Sequence, residues 1–166
     1  EEPAEETPVT PAPPVTTPVV QTPTTPTYTA GTPTTIQKII YAIPTSDPKG
    51  TVDLQVTYLG IGTLSGNTFI SKSSIDLDDE GALQFEVKNI GTKTAEDWSY
   101  RAELPSDITY TSGDQKALKP NERAIITLGF EGLTKKGTET VSVEVTAKGD
   151  VKSSNDEFSK TIKIVD

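Results

Sequence analysis

The chain has 166 residues, 15 of them basic and 24 acidic, for a net charge of −9. That balance argues against the basic surfaces that nucleic acid requires and against polybasic docking on anionic membranes. Cysteine, histidine and methionine are all absent, which removes disulfides, thiolate sites, cysteine nucleophiles and histidine-based triads.

Residues 1–35 are a different material from the rest. They hold 9 prolines and 12 threonines, so 21 of 35 positions are one or the other. Proline fixes φ and removes donors, and nothing in the stretch can bury a core. The expectation is a disordered, polyproline-like tether rising about 3 Å per residue where extended. Thr/Pro composition of this kind is also that of O-glycosylated stalks. The sequence begins at Glu1 rather than Met and contains no apolar run near the length of a membrane span. It therefore reads as a mature form or an excised fragment, with any export signal or anchor upstream.

Residues 36–49 form a short apolar segment and linker. Ile36, Ile39, Ile40 and Ile43 fall at i, i+3, i+4 and i+7, with Thr35 placed as an N-cap, and this spacing predicts a short amphipathic helix. The β-branched residues and the length of nine both oppose a free-standing helix. The segment is expected to pack on the following domain. Its alternative role is a partner contact, offered to another molecule as a helix or as an added strand. Pro44 and Pro48-Lys49-Gly50 close it and mark the domain boundary.

From residue 50 to residue 166 the pattern is all-β. Val52, Leu54, Val56 and Tyr58 alternate with polar residues, and Gly60 and Gly62 then predict a bend or bulge. Phe69-Ile70 opens a second short segment. Asp76-Leu77-Asp78-Asp79-Glu80 is an acidic turn, followed by Leu83, Phe85 and Val87. A turn around Asn89 and Gly91 follows, read as a place for positive φ. Trp98, Tyr100, Ala102 and Leu104 make the next strand, and Ile108–Thr111 a short one. Ala124, Ile126, Leu128 and Phe130 follow, then Val141, Val143 and Val145. In the last strand Lys160 interrupts the apolar set of Phe158, Ile162 and Ile164, which points to a sheet edge. Seven or eight strands with regular turns and one central tryptophan predict an immunoglobulin-like β-sandwich held by packing alone, with Trp98 in its core.

Three stretches carry a family signal: Val52-Asp53-Leu54, then Phe85 to Thr92 (FEVKNIGT), then Leu118-Lys119-Pro120-Asn121. Together with the layout of Asp150 to Val165, they resemble CARDB domains, the cell-adhesion-related domains found in bacteria. Asn121 stands where such domains usually have glycine, and asparagine tolerates the same left-handed backbone. The resemblance implies an Ig-like module on an exported bacterial protein, without catalytic residues.

Among candidate sites, Asp76, Asp78, Asp79 and Glu80 offer an oxygen-rich turn of the kind calcium uses, although the spacing is not that of an EF-hand. A second cluster, Asp150 with Asn155-Asp156-Glu157, can assist it only if the fold brings the two together. Glycosidase chemistry needs paired carboxylates across a cleft, and no cleft is evident. Tyr58, Phe69 and Tyr110 could offer sugar-stacking rings or could pack as core and rim. No cofactor is implied. The sequence reads as a non-enzymatic extracellular or cell-surface module for spacing, adhesion or contact with a surface protein or glycan. A carbohydrate-binding module and an assembly subunit inserting Ile36–Ile43 are the alternatives.

Overall fold

The computed structural model describes residues 35–40 and 45–166. The stretch of the tether before Thr35, and Ile43 of the apolar segment, lie outside the described residues. Two five-stranded sheets face each other. The first holds, from edge to edge, β1 (Thr35–Ile40), β8 (Arg123–Phe130), β5 (Gly81–Asn89), β2 (Leu54–Ser65) and β3 (Thr68–Lys72). The second holds β4 (Ile75–Asp76), β10 (Glu157–Val165), β9 (Gly137–Ala147), β6 (Trp98–Leu104) and β7 (Ile108–Thr111). All pairings in both sheets are antiparallel except β4 with β10.

This is the immunoglobulin order. β2, β5 and β8 stand as strands A, B and E of one sheet, and β6, β9 and β10 as C, F and G of the other. The central pair predicted from alternation, β5 and β6, does not form a hairpin. The chain crosses between the sheets at residues 90–97, so the two strands face each other across the core. Phe85 and Tyr100 meet there edge to face at 5.4 Å. Trp98 is 1% exposed, and its Nε1–H donates to the Lys116 carbonyl at 2.8 Å. Leu83, Phe85 and Val87 are fully buried with Ile126, Leu128 and Val141, as their period-two spacing requires.

The helical expectation for residues 35–43 is corrected by β1. Thr35–Ile40 is a strand, antiparallel to β8 from Thr35 opposite Leu128 to Ile40 opposite Arg123. The edge of β8 presents unpaired backbone donors and acceptors, and β-branched residues suit an extended partner better than a short helix. β1 takes the place of strand D in the immunoglobulin scheme. The bulge foreseen near the glycines is present, with the β2–β5 register shifting between Tyr58 and Gly60. β10 is an edge strand along most of its length, because β4 pairs only with Ile164 and Val165. Lys160 is exposed there.

The turn after β5 works differently from the expectation of positive φ. Neither Asn89 nor Gly91 has a positive φ. Asn89 is fully buried, and its Nδ2 donates to the carbonyls of Lys93 and Leu118, both at 2.8 Å. Its Oδ1 accepts from the Gly91 N–H at 3.0 Å. Gly91 is small because a Cβ there would lie 2.3 Å from the Thr51 carbonyl oxygen. The left-handed residue is Asn121, with φ of 62°. Its N–H donates to the Asn89 carbonyl at 2.7 Å, and the Ile90 N–H donates to the Asp53 carbonyl at 2.8 Å. The three stretches that carry the family signal therefore meet around one buried asparagine.

Candidate functional site

The two ends of the sandwich differ. One carries the start of β1, the start of β5 and the end of β10, as the registers Thr35 to Leu128, Gly81 to Phe130 and Val165 to Asp76 show. The opposite end carries the loops at 46–53, 90–97, 112–122 and 148–156.

The acidic turn lies at the first end. Asp76 pairs with Val165, and the Asp79 N–H closes a turn on the Asp76 carbonyl at 3.0 Å. The Asp79 carboxylate is engaged by Lys72 at 2.9 Å, in an exposed ion pair. Asp78 and Glu80 flank it in the same turn. Among the described residues no three acidic side chains already gather at the distance of a metal shell.

The second acidic cluster lies at the opposite end, separated from the first by the length of β10. The fold adds to it a residue from much earlier in the chain, Asp53. Val52 forms a parallel bridge to Asp150. The Asp150 carboxylate then accepts the Leu54 N–H at 2.7 Å through one oxygen and the Lys152 N–H at 2.8 Å through the other. Asn155 Nδ2 donates to Asp53 Oδ1 at 2.8 Å and to the Leu54 carbonyl at 3.0 Å. Asp156 is only 8% exposed, and its Oδ1 has no hydrogen-bond partner; the buried Asn155 Oδ1 has none either. No ion pair among the described residues joins a lysine or arginine to Asp53, Asp150 or Asp156. Burial, reinforced by the charges of Asp150, Asp53 and Glu144, pushes the Asp156 carboxyl up to about 6. Spacing along the sequence gathers Asp150 with Asn155-Asp156-Glu157 but gives no sign of Asp53, which reads as one polar position in an alternating strand.

A pH dependence follows. The folded carboxyl of Asp156 binds its proton more tightly than the unfolded one, so native protein holds more protons between about pH 4 and pH 6. Stability therefore falls across that window as pH rises. Denaturant titrations at pH 4 to 7.5 test this. Asp156→Asn should flatten the fall relative to wild type, and parallel curves for the two proteins would refute it.

The remaining candidates separate. Ile36, Ile39 and Ile40 lie on β1, paired within their own chain. Tyr58 and Tyr110 are half-buried and lean on neighbouring rings, Tyr58 on half-buried Phe158 at 5.6 Å and Tyr110 on buried Tyr100 at 5.8 Å. Tyr58 and Phe69 lie in the first sheet and Tyr110 in the second. An open groove of 820 Å³ runs beside β10, lined by Tyr58, Ile61, Lys72, Lys136 and Ile164 among others. Of its three lysines, Lys72 is engaged by Asp79 and Lys136 by Asp166 at 2.7 Å, and Lys163 also lines it. At the loop end, Ile90 and Val151 are 40% and 59% exposed. They flank the same backbone, donating their N–H groups to the carbonyls of Asp53 and Val52.

The strand order and the disulfide-free core define an immunoglobulin-like sandwich. No family model and no curated protein matches the chain. Among solved structures it is similar to the CARDB domain of the PF1109 protein from Pyrococcus furiosus, crystallised in complex with di-metal ions. The two share 12% identity over 74% of this chain and 95% of that one, with a TM-score of 0.49.

Proposed function

We propose that this chain is a non-enzymatic, exported module that works by surface spacing and contact, carried on its Thr/Pro stalk. The observation that carries the reading is the polarity of the sandwich. The strand that follows the stalk enters at the end where β10 finishes. The opposite loops are left clear to meet a surface protein or glycan. Those loops present Ile90 and Val151 around the Val52–Asp53 backbone, a small apolar pair of the kind that anchors weak contacts. Pairing of β1 with β8 also suits a mechanical role. A pull on the stalk acts along a ladder of backbone hydrogen bonds rather than on a single side-chain contact.

Fluorescent beads coated with the full-length chain test this on bacterial cell envelopes and on a glycan array. Binding to one of the two surfaces is expected. It should fall at least several-fold in an Ile90→Glu, Val151→Glu double variant and persist in Lys136→Glu at the other end. Binding abolished by Lys136→Glu and untouched by the double variant would refute the assignment of the contact end. Loss on Tyr58→Ala and Tyr110→Ala alone would transfer the role to a carbohydrate-binding surface.

A further inference from the structure

The geometry points to the open edge of β10 as a second contact surface, a docking site for an extended, acidic peptide segment of a partner protein. It is separate from the loop end and does not rest on the role proposed for Ile90 and Val151. The free edge follows from the ladder. The Val145 N–H donates to the Asp156 carbonyl at 2.7 Å, and the same antiparallel register sets Phe158 opposite Val143 and Ile162 opposite Glu139. Backbone groups turn to alternate sides along a strand. Phe158, Lys160 and Ile162 therefore turn theirs to β9, and Glu157, Ser159 and Thr161 turn theirs away. The Val165 carbonyl, on the second parity, accepts the Leu77 N–H of the chain beyond β4 at 2.9 Å, as this alternation requires. β4 reaches only Ile164 and Val165, so among the described residues no strand covers the outer side from Glu157 to Thr161. Such a row of unpaired donors and acceptors is a template for an added strand.

The 820 Å³ groove lies against this edge. Thr161, Ile162 and Lys163 line it from β10, and Tyr58 and Ile61 line it from β2 of the other sheet. Ile61 and Ile162 are buried, which gives the groove an apolar base for alternate side chains of an added strand. Charge selects the occupant. The chain as a whole carries −9, yet the groove is lined by Lys72, Lys136 and Lys163 against one carboxylate, Asp166. Asp79 and Asp166 already engage Lys72 and Lys136. Lys163, and Lys160 on the exposed edge, form no ion pair among the described residues. Lysines on an edge discourage pairing with a like-charged strand. A second copy of β10 would bring Lys160 and Lys163 of both chains into one short ladder, like charge beside like charge. A strand with apolar side chains on one face and carboxylates on the other gains the ladder, the groove and the two free ammonium groups together.

The probe is a short synthetic peptide of alternating valine and glutamate, compared with one of alternating valine and lysine. Each is titrated into the full-length chain at low salt and followed by amide NMR shifts and calorimetry. The glutamate peptide should bind at least about ten-fold more tightly than the lysine peptide, with shifts centred on Ser159, Thr161 and Lys163. Thr161→Pro removes an N–H that faces away from β9, a substitution that edge strands tolerate. It should leave the melting temperature near that of wild type and abolish binding. A Lys160→Glu, Lys163→Glu double variant keeps the backbone intact and should reverse the preference between the two peptides. A Lys93→Glu, Lys148→Glu double variant makes the same change in net charge at the loop end and should leave the preference as it was. Equal affinity for the two peptides, shifts centred away from β10, or binding untouched by the Lys160→Glu, Lys163→Glu pair would overturn the proposal. So would a concentration-dependent dimer that Thr161→Pro dissolves, since the edge would then belong to a second copy of the chain.

Discussion

Replacing Trp98 with alanine should lower the unfolding free energy by about 3–5 kcal/mol. The indole is 1% exposed and sits 6.4 Å from the Tyr100 ring, which passes the contact to Phe85 across the sandwich. No disulfide shares this work, since the chain has no cysteine. Truncation leaves a cavity that the flanking strands cannot close, because β6 is held between β7 and β9. It also removes the donor to the Lys116 carbonyl. Trp98→Phe separates the two contributions: most of the packing stays, and the carbonyl loses its partner, for a cost of about 1–3 kcal/mol. Urea titration followed by circular dichroism measures both. An alanine variant within 1 kcal/mol of wild type would remove Trp98 from the core.

Asn89→Ala should cost about 2–4 kcal/mol, a loss comparable with that of a large core side chain. Its side chain is fully buried and serves three backbone groups: the carbonyls of Lys93 and Leu118 and the N–H of Gly91. Alanine leaves all three without that partner, and desolvated groups are expensive to leave unpaired. Asn89→Asp should be worse at neutral pH, because a carboxylate would face two carbonyl oxygens. Hydrogen exchange offers a second readout. The amides of Ile90, Gly91 and Asn121 should lose protection first, since their bonds run to Asp53 and Asn89. Equal stability of the Asn89→Ala and wild-type proteins would show that the asparagine does not hold the loop end together.

Both residues were visible in the sequence, but only one for the right reason. Trp98 belongs to a period-two apolar run, and alternation is a local property that any sheet must obey. Its burial was therefore legible. Local turn chemistry marks Asn89 as a residue chosen for backbone freedom. The folded chain uses it instead as a buried hydrogen-bonding hub, and its partners lie 4 and 29 residues away. Asn121 was the residue that needed the left-handed conformation, and the sequence pointed to it correctly.

The segment at residues 35–40 shows the limit of periodicity. Nine residues with apolar positions at i, i+3, i+4 and i+7 fit a helix, yet a spacing that short does not weigh the open edge of β8 about ninety residues later. Backbone pairing decided the outcome. The acidic residues show the same limit in chemical form. Asp76 to Glu80 are adjacent in sequence and so attracted notice, but their turn is solvated and partly neutralised by Lys72. Asp53 and Asp156 lie more than a hundred positions apart, and no local pattern links them.

The sequence by itself determined an all-β chain with alternating strands, a tryptophan core without disulfides, and a proline-rich segment ahead of it. These follow from composition and local spacing, which act between neighbours along the chain. Only the tertiary structure decided that the apolar segment becomes strand β1, that three motif stretches close around Asn89, and that Asp53, Asp150 and Asp156 share one end of the sandwich. Each of those outcomes depends on which strand edges and loop ends meet in space, and pairing across the fold fixes that.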